Sequence, residues 1–296
     1  MSKVLIFGGT RFFGKRLVEK CLANGDEVTI ATRGKQRDDF GNRIERITVD
    51  RANQLSMETV FAKSLTKWDV IYDQVCFSPY EAQIACDLFA GQVGKYVFTS
   101  SLSVYDIDDQ PLKCEKDFDP FSYPIRSGGQ EAFSYSEGKR QAEAFFAQKA
   151  SFPVTMVRPP IVLGEDDYTE RLHFHVRKIL KGEPIGIDYL NTKLSFVGSD
   201  DLAQFLCWIG TNDLTGPVNS SAPDQITLNH LLAIIEGGSE HQAAVVDSKE
   251  TEAESPFNFP KSIYQDVSVA EASGYCFQPL NRWLAPLIHK LLAAEK

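Results

Sequence analysis

Tyr135 and Lys139 stand four residues apart in a stretch that reads as helix, so the phenol and the ammonium project from one helix face. A tyrosine is a poor base at its free pKa of about 10, and a neighbouring cation favours the phenolate. The pair is suited to exchanging a proton with a substrate hydroxyl or carbonyl near neutral pH. Spacing alone describes a solvated helix surface equally well, so the setting has to decide.

A second run with chemical meaning is Gly8-Gly9-Thr10-Arg11-Phe12-Phe13-Gly14, placed directly after the apolar segment Lys3 to Phe7 and before an amphipathic segment, Lys15 to Ala23. A diphosphate needs backbone N–H groups and the positive end of a helix dipole, reachable only where side chains leave the turn open. Gly8 permits the tight turn, and Gly14 permits close packing of helix on strand. At a strand-to-helix junction this pattern predicts a nicotinamide dinucleotide site touching Gly8, Thr10, Arg11, Phe12, Phe13 and Gly14. The usual Gly-x-x-Gly-x-x-Gly spacing has glycine where Arg11 stands. Arg11 either obstructs the phosphate or lends it a cation, and its capacity for bidentate pairing favours the second. A structural turn without ligand is the alternative.

The end of the next strand selects between cofactors, because a carboxylate there bonds the ribose hydroxyls of NAD and repels an added phosphate. The residues are Ala31-Thr32-Arg33-Gly34-Lys35, with no carboxylate and two cations. Arg33, supported by Lys35, predicts NADP in preference to NAD; two solvated surface charges are the other reading.

These groups need a parallel sheet to position them. Candidate strands are Lys3 to Phe7, Glu27 to Ala31, Ile44 to Val49, Val70 to Gln74, Tyr96 to Ser100 and Val154 to Val157, with helices at Lys15 to Ala23, Glu81 to Phe89 and Gly138 to Gln148. The alternation predicts an α/β fold: a Rossmann doubly wound parallel sheet in residues 1–160 plus returning segments. After Arg158-Pro159-Pro160 the alternation stops, and residues 161–296 are expected to form mainly a smaller α+β substrate lobe, with helices near Leu172 to Leu180, Leu228 to Ile235 and Trp283 to Leu292. Ser248 to Pro260, acidic and poor in residues to bury, reads as a surface loop.

The glycine turn, Thr99-Ser100-Ser101-Leu102-Ser103-Val104-Tyr105, Tyr135-Ser136-Glu137-Gly138-Lys139, Arg158-Pro159 and Phe196 to Ala203 together resemble the extended epimerase/dehydratase branch of the short-chain dehydrogenase/reductase superfamily over most of the chain. The resemblance implies Tyr135 as proton-exchanging group, Lys139 as ribose holder and charge donor, and Ser101 as hydrogen-bond partner of the substrate oxygen. It places Asp50 and Asp73 at the adenine and ribose pockets, although strand-end carboxylates also cap helices. Ser101, Arg158 and Arg171 are candidate substrate contacts, Arg171 and Arg177 being potential diphosphate partners or ordinary solvated charges. Gly164 to Asp167 is expected to border the substrate. The implied substrate is a small molecule such as a sugar nucleotide. No acidic pair of the kind dehydratases use lies beside Ser101, which tilts the reading towards an epimerase or a reductase. The family's helix-paired homodimers make a dimer the expected assembly.

One departure is the 34-position gap between Ser101 and Tyr135, long for the family. The inserted segment reads as a lid, hinged at Gly128-Gly129, or as a surface loop tacked down by Phe118, Phe121 and Tyr123. The turn is also similar to that of plant chloroplast stem-loop RNA-binding relatives, so a protein that binds without turnover is the rival reading.

Composition narrows the partners. The 296 residues carry 31 Lys plus Arg against 40 Asp plus Glu, a net charge of -9 that makes nucleic acid an unfavourable ligand. No apolar run approaches the roughly 20 residues of a membrane span, and the strand-like start at Lys3 leaves no room for a secretory signal, so the expected location is the cytoplasm. Six scattered cysteines suit buried free thiols. His173 and His175 lack a third ligand, so no metal is expected and both read as helix-surface residues.

Overall fold

The computed structural model describes residues 1–295. Strands and helices alternate through β1 (Lys3–Phe7), α1 (Phe12–Ala23), β2 (Glu27–Thr32), β3 (Glu45–Thr48), α2 (Gln54–Phe61), β4 (Trp68–Asp73), α3 (Pro79–Phe89) and β5 (Val93–Thr99). After the short β6 (Leu112–Lys113) come α4 (Tyr135–Lys149), β7 (Val154–Arg158) and β8 (Ile161–Leu163). The rest comprises α5 (Arg171–Lys181), β9 (Pro184–Gly186), β10 (Lys193–Leu194), β11 (Phe196–Gly198), α6 (Ser199–Gly210), β12 (Gly216–Asn219), β13 (Ile226–Thr227), α7 (Leu228–Gly238), β14 (Ala244–Val246), β15 (Tyr264–Gln265), α8 (Ser268–Ala272) and α9 (Leu280–Ala294).

Seven parallel strands in the order β12-β7-β5-β4-β1-β2-β3 make a Rossmann-type doubly wound sheet. The order reverses between β1 and β4, where such sheets open a crevice for ligands at their carboxyl ends. Strand side chains alternate between faces, and β1 shows the consequence directly. Val4 and Ile6 pack with Leu17 and Val18 of α1 and Phe205 and Leu206 of α6, whereas Leu5 and Phe7 pack with Met57 of α2, Ile84 of α3 and Phe146 of α4. A third cluster joins α5, α7 and α9 through Val176, Leu231 and Ile288 around Phe196 and Phe257.

Elements from beyond residue 160 complete the sheet half: α6 packs on α1, β12 pairs with β7, and α8 sends Ala270 into the same core. Helix starts are set by caps that apolar periodicity does not register. The Ser134 hydroxyl accepts from Glu137 N at 3.3 Å, so α4 begins at Tyr135 rather than Gly138. Ser78 does the same for Glu81 at 3.3 Å, with Pro79 in the first turn, so α3 begins two residues earlier than its apolar pattern.

Two expectations for the carboxyl-terminal half are corrected. His175 is fully buried rather than on a helix surface: its Nδ1 meets the Arg171 carbonyl at 2.9 Å, its Nε2 meets Ser255 Oγ at 2.8 Å, and its ring stacks on Phe257. The stretch from Ser248 to Pro260 is not wholly a surface loop, because it sends Phe257 into the core between His175 and Phe196. One aromatic side chain suffices to anchor a segment whose composition is otherwise polar.

The segment between Ser101 and Tyr135 is stitched down over much of its length. Arg158 donates to the carbonyls of Glu115 at 2.9 Å and Phe118 at 3.1 Å, Gln148 donates to those of Pro120 and Tyr123, and β6 pairs with β15. Phe118 is buried, but Phe121 points outward.

Candidate active site

The first βα turn is shaped by positive φ angles at Gly8 (107°) and Gly9 (87°), a region that side chains with a Cβ rarely adopt. Gly9 therefore belongs with Gly8 in forming the turn, and the consecutive glycines were the available signal. A Cβ on Gly14 would displace the flexible end of the Gln74 side chain, which lies against this turn. Arg11 stands at the helix N-cap with its guanidinium 4.6 Å from the ring centre of Tyr168. Phe12 is left-handed at φ 53° and packs edge-on against the same tyrosine.

Tyr135, Lys139 and Ser101 line one cleft of about 400 Å³. Phe12 and Phe13 of the turn, Gln74 and Phe77 after β4, Thr99 at the end of β5, and Asp167, Thr169 and Arg171 from the other lobe border the same space. The cap places Tyr135 at the first position of α4, where its side chain is 56% exposed at the cleft. Lys139, one turn on, is buried, and its ammonium donates to the carbonyls of Cys76 and Thr99 at 2.8 Å each. A lysine has three N–H donors, so one remains. The ammonium sits 4.4 Å from the Phe77 ring centre and 5.9 Å from that of Tyr135. Ser101 closes the far side: its oxygen accepts from Ser103 N at 3.1 Å and from the Ser103 hydroxyl at 3.0 Å, leaving its own proton for another acceptor.

A second recess, of about 270 Å³, continues from the turn along the ends of β2 and β3 and is lined by Gly8, Thr10, Arg11, Arg33, Lys35, Asp50, Glu81 and Gln130. Among the described residues, Arg33 and Lys35 are in no ion pair. Asp50 borders this recess while accepting from Ala52 N at 3.2 Å, which combines a strand-end position with a turn cap. Burial raises the Glu81 carboxyl above its ordinary range, opposed by the hydrogen bond it accepts from Phe77 N.

Two expected site residues lie elsewhere. Asp73 is fully buried beneath the sheet end, accepting from Arg51 at 2.7 and 3.0 Å and from the Tyr96 hydroxyl at 2.6 Å. Its carboxylate is consumed by a structural ion pair and takes no part in lining an adenine or ribose pocket. Arg158 is likewise no substrate contact. Its guanidinium is fully buried, pairs with Glu143 at 2.5 Å and donates to the Tyr105 hydroxyl at 2.9 Å. Burial opposes its charge, and the Glu143 carboxylate outweighs that, holding the guanidinium protonated.

Gln74, Phe77, Thr99 and Tyr168 had no site assignment from the sequence. Thr99 ends β5, and Gln74 and Phe77 follow β4, the positions from which side chains reach the crevice of a doubly wound sheet, whereas Tyr168 comes from the loop between β8 and α5. The cradle suits a dinucleotide: its positive-φ glycines leave the turn open, and Gln74 Nε2 and Thr99 Oγ1 are buried polar atoms without partners at its edge. Among the described residues there is no group of three metal-ligating side chains and no helix long and apolar enough to cross a membrane.

The fold is similar to that of a UDP-glucose 4-epimerase from Thermus thermophilus solved with NAD, with a TM-score of 0.74 and 16% identity over 99% of this chain and 98% of that one. It is also similar to a UDP-glucose 4-epimerase from Thermotoga maritima solved with UDP-glucose, with a TM-score of 0.76 and 17% identity over 98% and 97% of the two chains. A curated relative, the chloroplast stem-loop binding protein of 41 kDa b from Arabidopsis thaliana, is 26% identical over 246 residues, 78% of this chain and 61% of the relative. The model of the NAD dependent epimerase/dehydratase family matches residues 4–220, and the chain belongs to that family.

Proposed function

We propose that the protein is a nicotinamide-dinucleotide-dependent enzyme that epimerises or reduces a sugar nucleotide or a related hydroxyl or carbonyl compound, with Tyr135, Lys139 and Ser101 as its catalytic residues. The observation that carries this reading is the single cleft that collects those three side chains between the glycine turn and Arg171 of the other lobe. When bound, the nicotinamide supplies the hydride chemistry. Tyr135 takes the proton from a substrate hydroxyl or returns it to a carbonyl oxygen, and Ser101 donates a hydrogen bond to that oxygen. The remaining Lys139 N–H holds the ribose. Arg171 is positioned to meet a diphosphate.

NADP is the cofactor we favour over NAD, because Arg33 and Lys35 border the recess and the segment Ala31 to Lys35 at the end of β2 carries no carboxylate. The test is titration of the protein with NADPH and NADH, followed by fluorescence, for the parent and Arg33→Ala. Loss of about 10- to 100-fold in NADPH affinity, with NADH unchanged, is the expected result, since hydrogen bonds to charged groups contribute about 1.5–3 kcal/mol. No binding of either nucleotide removes the enzyme reading. The homodimer belongs to the same proposal and is checked by the mass in solution.

A second reading, binding of RNA without turnover, rests on the name of the Arabidopsis thaliana relative, of whose length this chain spans 61%. A salt-sensitive shift with stem-loop RNA in the absence of cofactor turnover would favour it; the net charge of -9 weighs against it.

A further inference from the structure

Eight buried side-chain polar atoms lack a hydrogen-bond partner among the described residues, and three of them, Gln74 Nε2, Thr99 Oγ1 and Asp167 Oδ2, belong to side chains that line the one cleft. Buried polar groups are normally satisfied, so orphaned atoms gathered at a cavity mark where a ligand completes the bonding. Gln74 and Thr99 lie on the dinucleotide side. Asp167 lies across from them, on the loop between β8 and α5.

That loop holds the Asp167 carboxylate in a defined orientation. Its Oδ1 accepts from Thr169 N at 2.9 Å and from the Thr169 hydroxyl at 2.6 Å. Its backbone N–H donates to Gly164 and its carbonyl accepts from Glu170. Asp167 is 3% exposed, and its Oδ2 meets no donor. An ionised carboxylate only accepts hydrogen bonds. The donors that line the cleft, Arg171 among them, leave this oxygen unbonded, and the neighbouring acid, Asp166, is the one paired with Arg16. Four residues on, Arg171 reaches the same cleft and is in no ion pair among the described residues. An acceptor on this loop and a free cation at the start of α5 match a neutral, hydroxylated group attached to a diphosphate.

We infer that Asp167 is a specificity-determining residue whose Oδ2 accepts a hydrogen bond from a hydroxyl of the sugar in a nucleoside diphosphate sugar. This rests on the sugar-nucleotide reading above and deepens it by naming the wall that reads the sugar. A site built around an acceptor penalises ligands that lack the matching O–H, because the acceptor is then left buried and unpaired.

The experiment compares UDP-glucose, UDP and NADH binding to the parent and to Asp167→Asn by calorimetry. In the variant the amide oxygen keeps the bonds from Thr169 and a donor replaces Oδ2. The expected result is at least about a 10-fold loss of UDP-glucose affinity, with UDP and NADH affinities within twofold of the parent. If the amide variant does not fold, Asp167→Ser, which keeps a short oxygen for the turn, carries the same expectation. Unchanged UDP-glucose affinity, or an equal loss for UDP or for NADH, overturns the assignment while leaving the sugar-nucleotide reading in place. A parent that binds NADH but not UDP-glucose overturns both.

Discussion

Gly138 lies so close beneath the carbonyl oxygen of Phe77 that a Cβ at position 138 would overlap it. The glycine inside Tyr-x-x-Gly-Lys thus lets α4 approach the loop after β4, and the next residue, Lys139, binds the Cys76 carbonyl of that loop at 2.8 Å. The approach of the helix and the seat of the ammonium are one arrangement. Gly138→Ala is expected to cost about 1–3 kcal/mol, as overpacking against backbone does, and to lower turnover with it. Urea unfolding with an unchanged slope measures the first effect and steady-state kinetics the second.

Tyr135 projects into the cleft and its hydroxyl holds nothing else in place. Tyr135→Phe should therefore leave the melting temperature and NADPH affinity near those of the parent while lowering kcat by about 10²- to 10⁴-fold, the usual range for a positioned acid or base. Parental turnover in this variant would remove the tyrosine from the chemistry.

The pair between Arg158 and Glu143 is fully buried on both sides. Replacing the arginine alone leaves an uncompensated carboxylate, so Arg158→Met should destabilise the fold by about 3–5 kcal/mol in denaturant titration. Cofactor and substrate affinities of the folded fraction should stay unchanged, since the guanidinium does not reach the cleft. A raised KM in a variant of parental stability would restore Arg158 to the substrate site.

Burial lowers the His175 imidazole to about 4 from its ordinary 6.5, against a smaller opposing effect of its bond to the Arg171 carbonyl. The folded chain keeps the ring neutral while the unfolded chain protonates it first, so this residue costs nothing above pH 6.5 and progressively destabilises the fold as pH falls to about 4. The full loss is on the order of 3 kcal/mol. His175→Gln should flatten the fall in stability across that window, measured by urea unfolding at several pH values; an identical slope in parent and variant would assign the acid sensitivity elsewhere.

The fold was largely legible because its signals are local. Gly8 and Gly14 report a turn and a close approach within a few residues, and the apolar run of β1 reports burial on both faces. Helix starts at Ser78 and Ser134 were legible in principle as caps, although apolar periodicity begins only after the first turn. The contribution of β12 and α6 to the sheet half was harder to read, because a four-residue strand carries no periodic signature of which sheet it will join.

The sequence by itself determined the glycine turn, the parallel alternation and the Tyr135–Lys139 register, all of which follow from backbone freedom, side-chain period and helix pitch over short spans. The tertiary structure alone decided what happens to the charges. Asp50 and Asp73 are both strand-end carboxylates, yet one borders a recess and the other is sealed beneath the sheet by Arg51, 22 residues away in sequence. Arg158 and Arg171 differ in the same way, and His175 depends on Ser255, 80 residues away. Whether a polar group meets solvent, a ligand or a counter-charge depends on what the rest of the chain packs against it, and residue type and local spacing carry no record of that.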